Sequence, residues 1–281
     1  MKQTPVVLIH GAWFHRSSWE GWAEQFASHG YAVSVPGWPG EAPTAAGVRR
    51  GPGPWHGLGL AALTAHHERI VRSFDDPPVL IGHSAGGLIA RLLLGAGLGR
   101  AAVALAPLPP GGVRPVEGSP QDGPGPGTEP LTRGRFRHLV ANAVGEREAA
   151  ELFERYAVPA PRPLLADLGF DRPAAGPADT AVDAAADAAV DTAVNTADPA
   201  RGPLLLVSGQ EDRIVPDAVT RAVYKLYGDS PAVTDLKQFA DRGHSLVFDG
   251  GRRAVADHVL AWLAANGIGA VTQDRARPSG L

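Results

Sequence analysis

The chain has 281 residues, of which 44 % are hydrophobic and 20 % charged, so it can bury a sizeable core. A formal net charge of −3 without a long run of Lys or Arg excludes the basic surface of a nucleic-acid-binding protein. The absence of cysteine excludes thiol catalysis and disulfide bonds, and no apolar run reaches the length of about 18 residues that indicates a membrane span.

The first predicted element is a strand. Residues 6–9, Val-Val-Leu-Ile, are all apolar and branched, which is typical of a strand buried on both faces of a parallel sheet. Residues 1–5 lead directly into it without a basic segment and a long apolar segment. We therefore expect a cytoplasmic protein that binds neither a membrane nor nucleic acid.

Strands and helices then alternate along the chain. Trp19, Trp22 and Phe26 recur at spacings of three and four, which predicts a helix that Gly30 ends. Further patterns predict strands at residues 31–35, 79–81, 101–105, 204–207 and 234–239, and helices near residues 58–74, 88–94, 217–227 and 255–265. This alternation predicts an α/β fold with about six mostly parallel strands flanked by helices.

Two tracts interrupt the alternation. Residues 107–130 are crowded with Pro and Gly, and residues 174–200 are dominated by Ala, Asp, Thr and Val, which favours a mobile linker. The segment between them has a helical period and predicts a helical cap inserted into the core. The predicted organisation is therefore a first core segment at residues 1–107, a cap insertion at residues 108–202, a second core segment at residues 203–268 and a disordered tail at residues 269–281.

The strongest local signal is Gly82-His83-Ser84-Ala85-Gly86, which lies between a predicted strand and a predicted helix. In this context a GxSxG pattern is typical of a strained turn that exposes a nucleophilic serine, and its glycines let strand and helix approach closely. The helix that follows directs unpaired N–H groups and a positive dipole end toward Ser84. The alternative is a serine that only caps a buried helix.

A serine hydroxyl needs a base to remove its proton, so the rest of the chain should supply a histidine and an acid. Asp212 follows the strand predicted at residues 204–207, and His244 follows the strand predicted at residues 234–239. Because such loops share the carboxyl edge of an open sheet with the turn at Ser84, the three residues can converge there. Glu211 is the alternative acid.

Other histidines and tryptophans have competing interpretations. His66 and His67 are adjacent, and metal ligands on one helix face need a spacing of three or four, so surface or partly buried positions are favoured. His83 is expected to pack or to support a neighbour, and His10 to support the loop after the first strand. Three tryptophans in loops either border a pocket or pack: Trp13, Trp38 and Trp55.

Four motifs together resemble the serine members of the α/β-hydrolase superfamily, namely HGAW at residues 10–13, GHSAGG at 82–87, GQEDRIVP at 209–216 and RGHSL at 242–246. The resemblance covers nearly the whole chain outside the two low-complexity tracts, and it is strongest to small bacterial esterase-like hydrolases. Plant methylesterases and hydroxynitrile lyases are similar at the same motifs. Two departures are that the usual two antiparallel strands have no room before the first parallel strand, and that HGAW is not the HGGG of one lipase group.

The resemblance implies roles for six residues, namely Ser84 as nucleophile, His244 as base, Asp212 as the acid that orients it, and the backbone amides of Ala12 or Trp13 and of Ala85 as an oxyanion hole. It implies no metal and no cofactor. The implied partner is a small-molecule substrate, a carboxylic ester of a small to medium apolar group that is cleaved through an acyl-enzyme. Two alternatives stay open: a cofactor-free lyase, cyclase or oxygenase that uses the three side chains as acid and base, and a non-catalytic ligand receptor.

Overall fold

The fold was analysed in a computed structural model, which describes residues 2–109, 127–170 and 194–272. Its strands are β1 Lys2–Gln3, β2 Pro5–Ile9, β3 Ala32–Ser34, β4 Val79–His83, β5 Ala101–Leu105, β6 Thr128–Glu129, β7 Ala160–Pro161, β8 Leu204–Gly209, β9 Thr234–Phe239 and β10 Val271–Thr272. Its α-helices are α1 Glu20–Ser28, α2 Ala45–Arg50, α3 Leu60–Arg72, α4 Ala85–Gly95, α5 Arg133–Arg135, α6 Glu146–Tyr156, α7 Arg162–Asp167, α8 Asp217–Lys225 and α9 Arg252–Ala265. No helix within the described ranges is both long and apolar enough to cross a membrane.

One six-stranded sheet forms the centre of the fold. Its strand order is β3-β2-β4-β5-β8-β9, and every neighbouring pair is parallel. All residues of β2, β4, β5 and β8 are buried, as expected when helices cover both faces of a parallel sheet. Helix α1 contacts α9, and helix α3 contacts α4 and α7. The predicted α/β-hydrolase fold with about six parallel strands is confirmed.

The strand order reverses between β2 and β4. The chain passes from β2 to β3 on one side of the sheet and then returns to β4 on the other side of β2. The loops after β2 and β4 therefore flank a crevice at the carboxyl edge, where ligands bind in open α/β sheets. The register aligns Ile9 of β2 with Gly82 of β4, so the HGAW loop leaves the sheet beside Ser84.

Helix α4 approaches the sheet closely because its first turn lacks side chains on that side. A Cβ atom on Gly86 would overlap the carbonyl oxygen of Ile9, and a Cβ atom on Gly82 would overlap the carbonyl oxygen of Gly86. Most of α4 is buried, with Leu92 only partly so. The glycines of the GxSxG pattern thus permit the close packing of strand, turn and helix.

Residues 127–170, which lie inside the predicted cap insertion, pack on the loop after β2. Phe14 forms an isolated antiparallel bridge with Ala157, and Val158 donates its N–H to the carbonyl of Trp13 at 2.9 Å. The Trp13 indole N–H donates to the carbonyl of Glu129 at 3.1 Å. A π-helix at Phe136–Val140 buries part of this segment against the main core. The predicted limits of the insertion, residues 108 and 202, are described, but residues 110–126 and 171–193 between them lie outside the described residues.

The structure differs from the predicted disordered tail at its beginning. Val271–Thr272 pairs with Lys2–Gln3 as β10 against β1, and Thr4 binds the carbonyls of Gly269 and Ala270 at 2.6 and 2.8 Å. A two-residue strand has no detectable periodicity, and its pairing depends on an edge 270 residues away in sequence. Residues 269–272 are therefore paired with the first strand in the structure, whereas residues 273–281 lie outside the described residues.

The predicted linker at residues 174–200 is described only at its end. Residues 174–193 lie outside the described residues, and residues 194–200 have no helix or strand. Val194 is nevertheless buried, and the backbone of Asn195 lies close to Gly95 at the end of α4. This end of the tract is therefore packed against the core.

Candidate active site

Ser84 occupies the sharp turn between β4 and α4. Its φ of 56° and ψ of −119° lie in a region that residues with a side chain rarely adopt, which marks a strained backbone. Its N–H donates to the carbonyl of Leu105 at 2.9 Å, and its own carbonyl accepts from Gly87 and Leu88 in the first turn of α4. The turn is therefore held from both sides and places the serine at the start of the helix.

Asp212 and His244 lie in contact at the carboxyl edge of the sheet. Asp212 Oδ2 is 2.8 Å from His244 Nδ1, and both side chains are almost completely buried. Asp212 Oδ1 accepts the N–H groups of Ile214 and Val215, each at 2.8 Å. Because a carboxylate can only accept, His244 Nδ1 carries the hydrogen, and Nε2 of the neutral ring is left with a lone pair. This arrangement can take a proton from a hydroxyl group.

His83 connects the serine turn to the histidine loop. Its Nε2–H donates to the backbone carbonyl of His244 at 2.9 Å, and the two imidazole rings are 4.6 Å apart. Burial lowers the pKa of His83 well below its ordinary value, so the ring is neutral. The expectation that His83 supports a neighbour thus agrees with its contact with the His244 backbone.

The hydroxyl of Ser84 and Nε2 of His244 are not hydrogen-bonded within the described part of the chain. The structure thus joins Asp212 to His244 directly, and it joins Ser84 to His244 through the neighbouring ring of His83.

The HGAW loop lies against the serine. A Cβ atom on Gly11 would be 2.8 Å from Ser84 Cβ and 3.4 Å from Ser84 Oγ, so the loop backbone touches the serine side chain. Trp13 has a positive φ of 65°, and Ala12 is buried beside it. Ala85 is the first residue of α4, where a helix leaves N–H groups without intrahelical partners. Backbone amides from both segments are thus available near Ser84.

Glu41, whose carboxyl group is buried next to this loop, was not predicted from the sequence. The side chain of Glu41 is only 1 % exposed, and its Oε1 lies 3.4 Å from Nε2 of His10. Trp38 stacks on the His10 ring at 4.6 Å and packs against Trp55, so these two tryptophans fill the core beneath the loop. The Pro-Gly pair before Glu41 predicts a turn, but nothing in the sequence indicates that the carboxyl group is buried.

The adjacent histidines of α3 have separate hydrogen bonds. His66 Nε2 contacts the carbonyl of Gly37 at 3.0 Å, and His67 Nδ1 contacts the carbonyl of Leu63 at 2.9 Å. Across the described ranges, His, Asp and Glu side chains form no group of three that could hold a metal ion.

Comparison with known proteins agrees with this architecture. The sequence matches the family model described as the alpha/beta hydrolase family over residues 6–258. A search of curated proteins finds no match to this sequence.

Three solved structures illustrate the similarity. A monoacylglycerol lipase from Paleococcus ferrophilus has a TM-score of 0.65 and 18 % identity, with 93 % of this chain and 94 % of that chain covered. A methylesterase from Arabidopsis has a TM-score of 0.61 and 16 % identity, with 93 % and 99 % covered. A polyneuridine aldehyde esterase has a TM-score of 0.61 and 15 % identity, also with 93 % and 99 % covered. At these identities the likeness shows the fold.

Proposed function

Because the chain belongs to the alpha/beta hydrolase family, we propose that it is a serine hydrolase that cleaves a carboxylic ester through an acyl-enzyme. The observation that carries the proposal is the hydrogen bond of 2.8 Å between Asp212 and His244, at the same sheet edge as the strained turn of Ser84. A buried aspartate, a histidine whose Nε2 carries a lone pair and a serine on such a turn are the parts that acyl transfer requires.

In the proposed mechanism Ser84 Oγ attacks the ester carbonyl while His244 Nε2 takes its proton. Asp212 holds the His244 ring in the required tautomer and stabilises the imidazolium. The carbonyl oxygen becomes an oxyanion, which accepts hydrogen bonds from the amides of Ala85 and of Ala12 or Trp13. His244 then gives its proton to the leaving alcohol, and water attacks the acyl-enzyme by the same route, releasing the acid and restoring Ser84.

The backbone amides of the oxyanion hole stabilise the transition state because they donate hydrogen bonds to the negative charge that develops on the substrate carbonyl oxygen. Removing one donor of an oxyanion hole in other enzymes costs about 3 kcal/mol of transition-state stabilisation. No metal or cofactor takes part in the proposed mechanism. The backbone near Ala12 and the start of α4 is sufficient for it.

We propose a small to medium apolar group as the acyl or alcohol part of the substrate. Support comes from the aromatic side chains around the site: Phe14 lies 6.1 Å from the His244 ring, and Trp13 meets Phe170 edge to face at 5.0 Å. Phe136 is 6.4 Å from Phe14. Two of these rings come from residues 127–170, which supports a cap insertion that shapes the substrate site.

The test is covalent labelling with a fluorophosphonate, followed by peptide mapping, together with hydrolysis of a p-nitrophenyl ester. The chain offers a matched control because Gly-His-Ser occurs twice, at residues 82–84 and 243–245. Ser245 is also buried, but its hydroxyl donates to Asp249 at 2.8 Å. We expect the label on Ser84, and Ser84→Ala to lose about 10⁴ or more in kcat, whereas Ser245→Ala keeps the label and activity within tenfold.

A Ser84→Ala variant that hydrolyses the ester within tenfold of the wild type would remove Ser84 from the nucleophile role. Ester turnover without an acyl-enzyme on Ser84 would favour the acid–base alternative instead. No turnover of any activated ester by folded wild-type protein would favour a ligand receptor.

A further inference from the structure

The turn at residues 38–41 delivers two side chains to His10. The N–H of Glu41 donates to the carbonyl of Trp38 at 2.9 Å, and Gly40 has a φ of +72°. Pro at the second position and Gly with positive φ at the third define a type II turn. Trp38 thereby covers the face of the His10 ring, and Glu41 reaches its edge with 3.4 Å between Oε1 and Nε2.

The donors and acceptors around His10 indicate that a proton lies between Glu41 Oε1 and His10 Nε2. His10 Nδ1 lies 3.1 Å from the carbonyl of Gly11, and a carbonyl only accepts, so Nδ1 carries a hydrogen. Nε2 of a neutral ring is then an acceptor, and so is an ionised Glu41. Two buried acceptors would face each other unless one of them is protonated. His10 Nε2 is buried without a hydrogen-bond partner in the described structure, whereas Glu41 Oε1, which faces it, also accepts the backbone N–H of Arg16 at 3.4 Å. A donor for His10 Nε2 is therefore missing among the described residues unless Glu41 is protonated.

The surroundings favour a neutral pair with the proton on Glu41. Burial raises the pKa of Glu41 to about 7 and lowers the pKa of His10 to about 3. A protonated Glu41 then donates to His10 Nε2, and His10 Nδ1–H donates to the Gly11 carbonyl. The hydrogen-bonding groups that link Glu41, His10 and Gly11 are then all paired, and no charge is buried.

Three other titratable or charged groups surround the pair. Arg16 is the only cation against Glu41 in the described part of the chain, with its Nε 3.5 Å from Oε2, and its side chain is partly exposed. His15 Nε2 is 4.0 Å from Oε2 but also contacts the carbonyl of Ala42 at 3.0 Å. His67 lies beyond His10, and burial lowers its pKa to about 4. Both histidines are thus expected to be neutral near pH 7, since burial lowers the pKa of His15 as well.

The consequence concerns the amide of Ala12. The Gly11 carbonyl and the Ala12 N–H belong to one planar trans peptide, so they point in opposite directions. Holding the carbonyl through His10 therefore directs the N–H. We propose that Glu41 is a positioning residue of the oxyanion loop, which orients the Ala12 amide by donating a hydrogen bond to His10. This inference rests on the proposed ester hydrolysis.

The first test compares two substitutions at Glu41 in the full-length protein. Gln can direct an N–H donor at His10 Nε2 at the cost of the long contact of 3.4 Å from the Arg16 N–H, whereas Leu removes both interactions at similar volume. We expect Glu41→Leu to lose tenfold or more in kcat with KM within twofold, because an oxyanion donor acts in the transition state. Glu41→Gln should stay within threefold of the wild type in kcat. Tyr31→Phe is the matched control, since it removes a buried hydrogen bond of 2.9 Å to Ile268 away from the loop, and its kcat should not change.

The second test does not depend on activity. ¹⁵N NMR of the histidine rings, assigned with a His10→Gln variant, should show His10 protonated only at Nδ1 at pH 6, with a shifted Nε2 signal in Glu41→Leu. A His10 ring protonated at both nitrogens would overturn the proposal even if Glu41→Leu does not fold. Equal loss of kcat in Glu41→Leu and Glu41→Gln, or no loss in either, would overturn it while ester hydrolysis stands. Absence of hydrolysis in the wild type would overturn both.

Discussion

Replacing Asp212 by Asn tests the proposed acid with almost no change in shape. The Asp212 carboxylate accepts three hydrogen bonds, two at Oδ1 from Ile214 and Val215 and one at Oδ2 from His244. An Asn side chain has one acceptor oxygen and one NH₂ group. If the NH₂ faced the two backbone N–H groups, two buried donors would lose their partner, at about 1–3 kcal/mol each.

The Asn oxygen is therefore expected to stay on the backbone N–H groups, and its NH₂ to face His244. His244 Nδ1 must then accept, which moves the ring hydrogen to Nε2. In that tautomer Nε2 cannot take the proton of Ser84. A preference of at least about 2 kcal/mol corresponds to roughly 30 to 1 in favour of the wrong tautomer. The tautomer preference accounts for about thirtyfold of the loss, and Asn also removes the negative charge that stabilises the imidazolium. The same change in serine proteases with this arrangement lowers kcat by roughly 10⁴, and we expect the two effects together to approach that loss here.

The assay is kcat for a p-nitrophenyl ester, measured beside thermal unfolding to show that the variant is folded. Glu211→Gln is the matched control, because Glu211 is the neighbouring exposed acid and its hydrogen bonds in the described structure are made by its backbone, the carbonyl with Asn142 and the N–H with Arg242. It should keep kcat within about threefold. A nearly silent Asp212→Asn and a crippling Glu211→Gln would refute the reasoning and move the acid by one residue.

Two further predictions concern stability. Gly86→Ala places a Cβ against the backbone of β2 and should lower the free energy of unfolding by about 3 kcal/mol or more, measured as a lower Tm. Gly134→Ala, where a Cβ would meet no other atom, should change the free energy of unfolding by less than about 1 kcal/mol. Equal Tm values for the two variants would show that α4 can move away from the sheet. Glu41 has a raised pKa of about 7 in the folded state, so wild-type stability falls as pH rises from about 4.5 to about 7. Relative to the wild type, the free energy of unfolding of Glu41→Gln should therefore rise by up to about 3 kcal/mol between pH 5 and pH 8. A stability difference between the two proteins that does not depend on pH would show that Glu41 does not titrate in this range.

Local patterns in the sequence were sufficient for the sheet and for the candidate residues at its edge. Each buried strand is a short apolar run, and the serine turn is defined by five consecutive residues between a strand and a helix. The positions of Asp212 and His244 after late strands predicted that they lie at one edge, and the structure has them in contact. Their catalytic roles stay predictions for the experiments above.

Tertiary structure alone decided several contacts around that edge. His83 binds the backbone of a residue 161 positions away, and residues 269–272 pair with the beginning of the chain. Glu41 looks like an ordinary polar turn residue until the fold places its carboxyl group against His10. Burial and pairing of this kind depend on which distant segments meet. A glutamate in a turn therefore looks the same in sequence whether its carboxyl group is exposed to solvent or buried against a histidine.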